Sequence, residues 1–404
     1  MAVAGGTFSR ILSPLQGVWG GLARFPKALS RTKAGLIGFI GLVFYALLIT
    51  VGQALVPFDG KVKLDQIAAP PGSRLQLLTR AEDADAFTSL AALAGRTVGV
   101  VGNTGGPDLV RPYSDSLEVD ETRWRSGRGI PEALEKLEGG DIDALVLFSE
   151  TVKRQVTRPG NLAYPGLAIA NPALGPPHLL GTDTQGRDIL SHIVNGGRTL
   201  IVTALLAGLI STVIAVVLGA LAALLGGVVD RVFTALANFI LVIPRFPLLV
   251  VLAALIQLNN FVLLATLIGV LSWPALMRAV RSQVLSLRER DYVEAAIALD
   301  LSRGHIIGRE ILPNMISFVV VNLIFAVTSA MYEQVGLIFL GMAPINDYTW
   351  GVMLYFGRTR GTLFSPDSAS MVLAPVFAIV FFQVSMVMFA SAMEEVFDPR
   401  LRSS

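Results

Sequence analysis

The sequence predicts an all-α polytopic membrane protein of six transmembrane helices, with an inserted α/β domain that lies outside the membrane. Of its 404 residues, 53% are hydrophobic and 15% are charged, whereas soluble domains carry about 25% charged residues. Six apolar stretches have the length of about 20 residues that a membrane span needs. Residues 57–176 differ from the rest, because they contain most of the acidic residues of the chain.

The six predicted spans differ in quality. They cover residues 34–56, about 200–225, about 232–258, about 261–280, about 315–340 and about 371–393. The third contains Pro244, Arg245 and Pro247, and an Arg in the middle of a span is costly in lipid. We therefore expect a broken helix there, facing protein or a water-filled path.

Positive charge predicts the orientation of the chain. Residues 1–33 contain five Lys and Arg and no acidic residue, which places this N-terminal segment in the cytoplasm. It has no short apolar core with a cleavage site, so we do not expect a removable signal peptide. Six spans then return the tail, residues 394–404, to the cytoplasm, and the loop at 281–314 lies on the same side.

That loop is a charged, amphipathic segment between two apolar runs. From residue 291 it reads DYVEAAIALDLSRGHIIGREILPN, and several Arg residues precede it or lie within it. It resembles the EAA loop of ABC-importer permeases, with matches at Glu294, Ala295, Ala296, Ile311, Leu312, Pro313 and Asn314. The family usually has Gly where this chain has Asp300, at a turn where positive φ is convenient, and Gly304 follows closely. The alternative interpretation is an ordinary cytoplasmic loop.

Residues 177–199 before the second span carry further motifs. We expect an amphipathic helix at the outer interface, with Thr182 or Asp183 as its N-cap. The strings GTDTQGRDILS and GGRTL, and the tail FDPRL, resemble dipeptide and oligopeptide permeases of the second type, whose tail ends in DPRLR.

This resemblance implies the type I ABC-importer permease fold in a bacterial cytoplasmic membrane. The partners it implies are a homologous permease, two ABC ATPase subunits, an extracytoplasmic solute-binding protein and membrane lipid, without nucleic acid. ATP and Mg²⁺ would be bound by the ATPase subunits and no cofactor by this chain, and Glu294, Ala295, Ala296, Asp300, Gly304, Ile311, Leu312 and Pro313 would couple it to them.

Within residues 57–176, apolar runs alternate with helical segments, and this pattern predicts an α/β unit of parallel strands. Buried strands are expected at 96–102 and 143–148, and a helix at 130–137. The strings LAGRTVGVVGNTGG and ALEKLEGGDIDALVLF resemble one lobe of a periplasmic solute-binding protein. The resemblance matches Thr104, Gly105 and Gly106 to a turn that can hold a ligand carboxylate, and Phe148 to a position that is often Asp. A contact with substrate or binding protein and a purely structural cap are both possible interpretations.

Polar residues within apolar spans are candidates for a translocation path. They are Asn238, Arg245, Ser272, Asn322, Ser329, Tyr332 and Glu333. An ionisable residue such as Glu333 is functional by default in a membrane. For any one of these residues, hydrogen bonding between helices is an alternative explanation.

Several classes of site are not indicated. The sequence has no G-x-x-x-x-G-K-[ST] phosphate loop, no Cys and three scattered His residues. We therefore expect neither an enzyme nor a metal site. A membrane-anchored solute sensor and a secondary carrier are the alternative functions, and the transported solute (peptide, nickel chelate, opine or glutathione-like compound) is not specified.

Overall fold

A computed structural model describes residues 33–58, 60–123, 128–156, 164–345, 348–360 and 369–397. The chain divides into two compact units. The membrane unit takes its described residues from 33–50, 198–345 and 379–397, and the sheet unit takes them from within 51–197 and 348–378. The basic leader up to residue 32 and the tail motif from residue 398 lie outside the described residues.

Long apolar helices dominate the chain. They are α1 (Lys33–Leu47, extended by a π-helical turn at Leu48–Gly52 and a short turn at Gln53–Leu55), α5 (Ile189–Leu225), α6 (Gly227–Val242), α7 (Arg245–Ile256), α8 (Phe261–Arg288), α10 (Ile316–Phe339) and α12 (Ala369–Phe397). In the described part of the chain, five helices are long and apolar enough to span a membrane. A sixth span is reached if α6 and α7, bent by 86°, count as one. The predicted six-span, all-α architecture with a broken third span is confirmed.

The break between α6 and α7 has a local cause. Pro244 has no backbone N–H and precedes the first residue of α7, and Ile243 before it is extended. Elsewhere in the membrane unit, helices approach closely at glycines. A Cβ built on Gly208 would lie 2.7–3.1 Å from the backbone and side chain of Val327, so α5 and α10 pack almost backbone to backbone there.

The sheet unit contains a five-stranded mixed sheet. Its strands are β1 (Ser73–Arg80), β2 (Thr97–Val101), β3 (Glu118–Thr122), β4 (Ala144–Phe148) and β5 (Leu167–His178), in the order β3-β2-β4-β1-β5. Strands β2 and β4 are parallel as predicted, and β3, which was not predicted, is parallel to β2, whereas β1 is antiparallel to both of its neighbours. The helices of this domain are α2 (Gly106–Val110), α3 (Gly129–Gly139) and α4 (Ser149–Gln155).

Two apolar clusters give this sheet a core of its own. Leu134 and Leu137 of α3 pack with Leu145 and Leu147 of β4, all fully buried. A second cluster joins β1, β2 and β4 with the turn at Leu90–Leu93. A short helix α11 (Trp350–Thr359) completes the sheet unit.

The predicted separate helix at 177–199 is wrong. Strand β5 continues to His178, residues 179–188 form a loop, and α5 then runs without a break from Ile189 to Leu225. Asp188, rather than Thr182 or Asp183, caps α5, because its Oδ1 accepts from Ser191 N at 2.7 Å. Asp183 instead organises the loop by accepting from the backbone N–H groups of Gln185 and Arg187.

Candidate functional site

The segment resembling an EAA loop folds as short helical pieces around one strained turn. Helix α9 (Asp291–Ala298) is followed by a helical turn at Arg303–His305, a π-helical segment at Ile306–Ile311 and a 3₁₀ turn at Leu312–Met315. Asp300 lies between α9 and this second part with φ of +54°. Asp is one of the few residues besides Gly that adopt this region readily, so the turn is kept without the usual Gly.

One face of this segment is anchored to the membrane unit. Val293 and Ile311 are fully buried, and Ala296, Ile306 and Met315 are almost so. They share one apolar cluster with residues at the end of α5 (Ala220, Ala223) and of α8 (Val280, Val284). A displacement of the segment must therefore move the ends of these two helices, because close-packed interiors transmit strain.

The opposite face of the segment is exposed. Glu294, Ala295, Asp300, Gly304 and Pro313 are all exposed, and Leu312 is half-buried. Three large apolar side chains accompany them: Leu299 is 73% exposed, Tyr292 40% and Leu301 37%. The residues predicted to couple thus divide into an anchored pair, Ala296 and Ile311, and an outward set, which suits docking of a partner protein.

A bidentate ion pair lies near this segment and was not predicted. The guanidinium of Arg281 in α8 contacts both carboxylate oxygens of Asp230 in α6, with Nη2 to Oδ2 at 2.6 Å. Thr234 donates to the same carboxylate at 3.2 Å. Bidentate pairs fix orientation as well as distance, so α6 and α8 are held in one register close to the predicted coupling segment, residues 291–315. Asp230 and Arg281 lie 51 residues apart in the sequence, and no pattern in the sequence indicates that they pair.

Some of the predicted path residues come together in the membrane unit. Arg245 at the start of α7 forms an ion pair with Glu333 of α10, whose side chain is almost buried. Arg245 and Ser272 line one cleft between α6, α7 and α8. Asn238 lines a second cleft, and Leu241 and Ala275 are common to both. The two clefts therefore adjoin along α6 and α8 and carry three of the predicted polar groups.

The remaining path candidates have other surroundings. Asn322 donates to the carbonyl of Phe318 one turn earlier in its own helix, at 2.8 Å. Ser272, which lines the first cleft, makes the same kind of bond to Ile268 O at 2.6 Å. Ser329 is half-buried, and Tyr332 points outward with 58% exposure. Two residues that were not predicted as path residues do bond between helices: Gln334 donates to Leu200 O at 2.6 Å, and Gln383 to Thr328 O at 3.2 Å.

In the sheet unit, the turn predicted to hold a carboxylate already holds one from the chain itself. Gly105 N donates to Oδ1 of Asp65 at 3.2 Å, while Thr104 Oγ1 donates to Val101 O and accepts from Gly106 N. Burial raises the pKa of Asp65 to about 7, although the Gly105 N–H opposes the rise. Phe148 is fully buried, with its ring 5.8 Å from that of His178. Among the described residues, no group of three or more His, Cys, Asp or Glu could hold a metal ion.

Comparison with known proteins identifies the family. The family model described as "Binding-protein-dependent transport system inner membrane component" matches residues 215–403. A peptide permease protein of Brucella suis is 31% identical over 264 residues, which are 64% of this chain and 86% of that protein. The chain belongs to this family. It is therefore a multi-pass membrane permease subunit, and the transmembrane fold predicted from the sequence is confirmed.

Other relatives of the permease carry more specific names. The oligopeptide transport system permease protein OppC of Haemophilus influenzae is 31% identical over 47% of this chain and 61% of its own length. The dipeptide transport system permease protein DppC of Lactococcus lactis is 31% identical over 55% of this chain and 64% of its own.

Solved structures also share local similarity with the permease. Holo ArgBP from T. maritima is 26% identical over 27% of this chain and 43% of that chain, with a TM-score of 0.22. The periplasmic VFT2 domain of BvgS from Bordetella pertussis is 22% identical over 34% of this chain and 56% of that chain, also with a TM-score of 0.22.

Proposed function

We propose that this permease is a subunit of an ATP-driven peptide importer. It would form the translocation path with a homologous permease, receive peptide from an extracytoplasmic binding protein, and be driven by two ATPase subunits that bind ATP and Mg²⁺. Peptide as the solute is inferred from the names of the Brucella, Haemophilus and Lactococcus relatives. The N-terminus, the tail and residues 281–314 would face the cytoplasm, and the sheet unit would face outward.

The two-faced coupling segment is the observation that carries this proposal. The exposed face of the segment offers an ATPase subunit an apolar surface at Tyr292, Leu299 and Leu301, beside the charge of Glu294. Its anchored residues pass any displacement to α5 and α8 through a shared apolar cluster. A nucleotide-dependent movement of the ATPase would in this way bias two arrangements of the spans, which is what alternating access requires.

The adjoining clefts along α6, α7 and α8 are our proposal for the part of the path lined by this subunit. A peptide carries charged termini and polar amides, and such groups need polar partners within a membrane. Arg245, Ser272 and Asn238 supply them, and Glu333 keeps Arg245 in place through their ion pair. The broken α6–α7 segment suits this position, because irregular backbone at membrane depth is tolerated where it lines a cavity.

A charge reversal on the outward face tests the proposal. We expect Glu294→Arg to leave membrane insertion intact and to uncouple ATP hydrolysis from uptake in the reconstituted complex. Glu135→Arg makes the same charge change on the exposed face of α3 in the sheet unit and serves as the matched control. Wild-type uptake and wild-type ATPase stimulation by Glu294→Arg would show that this segment is not the coupling element.

A further inference from the structure

The parallel strands of the sheet unit define a crevice. In the sheet order β3-β2-β4-β1-β5, the chain leaves β2 toward β3 on one side and leaves β4 toward β5 on the other, so the direction changes between β2 and β4. In open α/β sheets, ligands bind outside the carboxyl ends of the strands where the direction changes. Here that place lies between the turn after β2, residues 102–106, and the start of α4 after β4.

A segment of the same chain fills this crevice. Asp65 touches both of its walls, because its Oδ1 accepts from Gly105 N at 3.2 Å and its backbone O accepts from Thr151 Oγ1 of α4 at 3.3 Å. Leu64 N donates to Asn103 O at 2.9 Å. Asp65 is 9% exposed and Gln66 is 1% exposed, so both residues are enclosed by the domain.

We propose that residues 63–66 are a built-in occupant of this crevice, with the Asp65 carboxylate in the place of a ligand carboxylate. The sheet unit of the permease is then closed to free amino acids and peptides, and it does not act as a solute receptor. A solute carboxylate that entered would have to displace a tethered group, whose effective concentration is far above that of a free solute. This inference concerns the sheet unit alone, so transport through the spans can be correct whether or not it holds.

Two details of the crevice agree with a tethered occupant. A Cβ on Gly105 would collide with the side-chain amide of Gln66, so the absence of a side chain at Gly105 leaves room for Gln66 in its present position. The second oxygen of Asp65, Oδ2, is buried and has no hydrogen-bond partner in the described part of the chain. The Asp65 carboxylate is held in the crevice by its own backbone, so it can stay there with one oxygen unpaired. A free ligand would need more hydrogen bonds to offset the freedom that it loses on binding.

Hydrogen exchange on the full-length permease in detergent tests the proposal, with formate as the probe. In the wild type, the backbone N–H groups of residues 102–106 and 108–110 should be protected from exchange, and formate should not change their exchange rates. Asp65→Ala should raise their exchange by about tenfold or more, since a hydrogen bond to a carboxylate contributes about 1.5–3 kcal/mol and 1.4 kcal/mol is a factor of ten. Formate should restore protection in this variant, because it replaces the missing carboxylate.

Asp108→Ala is the matched control, since Asp108 borders the same region but pairs with Lys61 on the surface. It should leave exchange at 102–105 unchanged and insensitive to formate. Asp65→Asn keeps the shape of the side chain and covers the case in which the Ala variant does not fold; it should remain closed to formate. The proposal is overturned if L-glutamate, L-lysine or L-alanyl-L-alanine protects residues 102–110 in the wild type, or if folded Asp65→Ala exchanges like the wild type.

Discussion

Truncation of Ile311 tests how the coupling segment is joined to the spans. Ile311 is fully buried in the cluster that also holds residues of α5 and α8. Replacement by Ala removes apolar contact and leaves a cavity, and such changes cost about 2–5 kcal/mol in protein cores. If this whole loss weakens the packing of the segment against α5 and α8, the ratio of packed to unpacked segment drops by about 30-fold to about 5,000-fold.

The expected phenotype is uncoupling with the complex intact. Ile311→Ala should retain ATPase subunits during purification, because the outward face is unchanged, while ATP hydrolysis loses its dependence on substrate and uptake falls. Hydrogen exchange should rise at residues 280–288 of α8, which share the cluster. Leu299→Ala is the contrasting variant: it removes a side chain that is 73% exposed, so it should weaken ATPase binding without loosening α8.

Two results would contradict these expectations. If Ile311→Ala shows wild-type uptake and unchanged exchange in α8, the buried cluster does not transmit the movement. If Ile311→Ala and Leu299→Ala have the same effect on ATPase retention, the division of the segment into an anchored and an outward face is wrong.

Four other outcomes are expected. The pKa of Asp65 is about 7 in the folded protein, against an ordinary value of 3.8, so the folded state binds a proton at this carboxyl more tightly than the unfolded state does. The stability of the protein should therefore fall as pH rises from about 4 to about 7, by at most about 4 kcal/mol. Melting curves measured across that range should not show this loss for Asp65→Asn. Gly208→Leu should destabilise the protein by about 1–3 kcal/mol through overpacking against α10, whereas Gly304→Leu, where a Cβ meets nothing within 4 Å, should melt like the wild type. Arg245→Ala should lower the melting temperature more than the double variant with Glu333→Gln, because the single change leaves a nearly buried carboxylate unpaired. The purified single chain should hydrolyse no ATP in a phosphate-release assay, and turnover above that of an empty preparation would contradict the assignment of ATP to partner subunits.

The membrane fold could be predicted from the sequence because apolar length and Pro placement act locally. The break at Pro244 follows from the missing N–H of proline, and it was expected from residues 244–247 alone. The separate interfacial helix at 177–199 was not found, because Asp183 and Arg187 use their side chains to hold a loop. Such a pair does not differ in sequence from a polar helix start, so its role is visible only from the contacts.

Two of the three interior strands of the sheet were predicted, whereas the interior strand β1 and both edge strands were missed. Strands β2 and β4 are short apolar runs, which indicate buried parallel strands. Strand β3 is polar, and β5 contains Pro172, Pro176 and Pro177, which argue against a strand. Both are the outermost strands of the sheet, where polar residues and proline are tolerated.

The candidate site was predicted as a set of positions but not as an arrangement. The spacing from Glu294 to Pro313 predicted a coupling role for this segment, yet only burial separates Ile311, which anchors the segment, from the exposed Glu294. Asp65 carried no signal, because a lone acidic residue in the string KVKLDQ reads as an ordinary solvated linker. Its position becomes meaningful only when the fold brings it to Gly105, 40 residues later.

Peptide uptake into proteoliposomes tests the central claim most directly. The permease would be reconstituted with its homologous permease and the ATPase subunits. Labelled peptide and the binding protein would be supplied outside the vesicles, and ATP inside them, on the side of the ATPase subunits. We expect uptake with ATP, none with a non-hydrolysable analogue, and none when the ATPase subunits are left out. Uptake of equal rate without the ATPase subunits, driven by an ion gradient, would contradict the account and identify the chain as a secondary carrier.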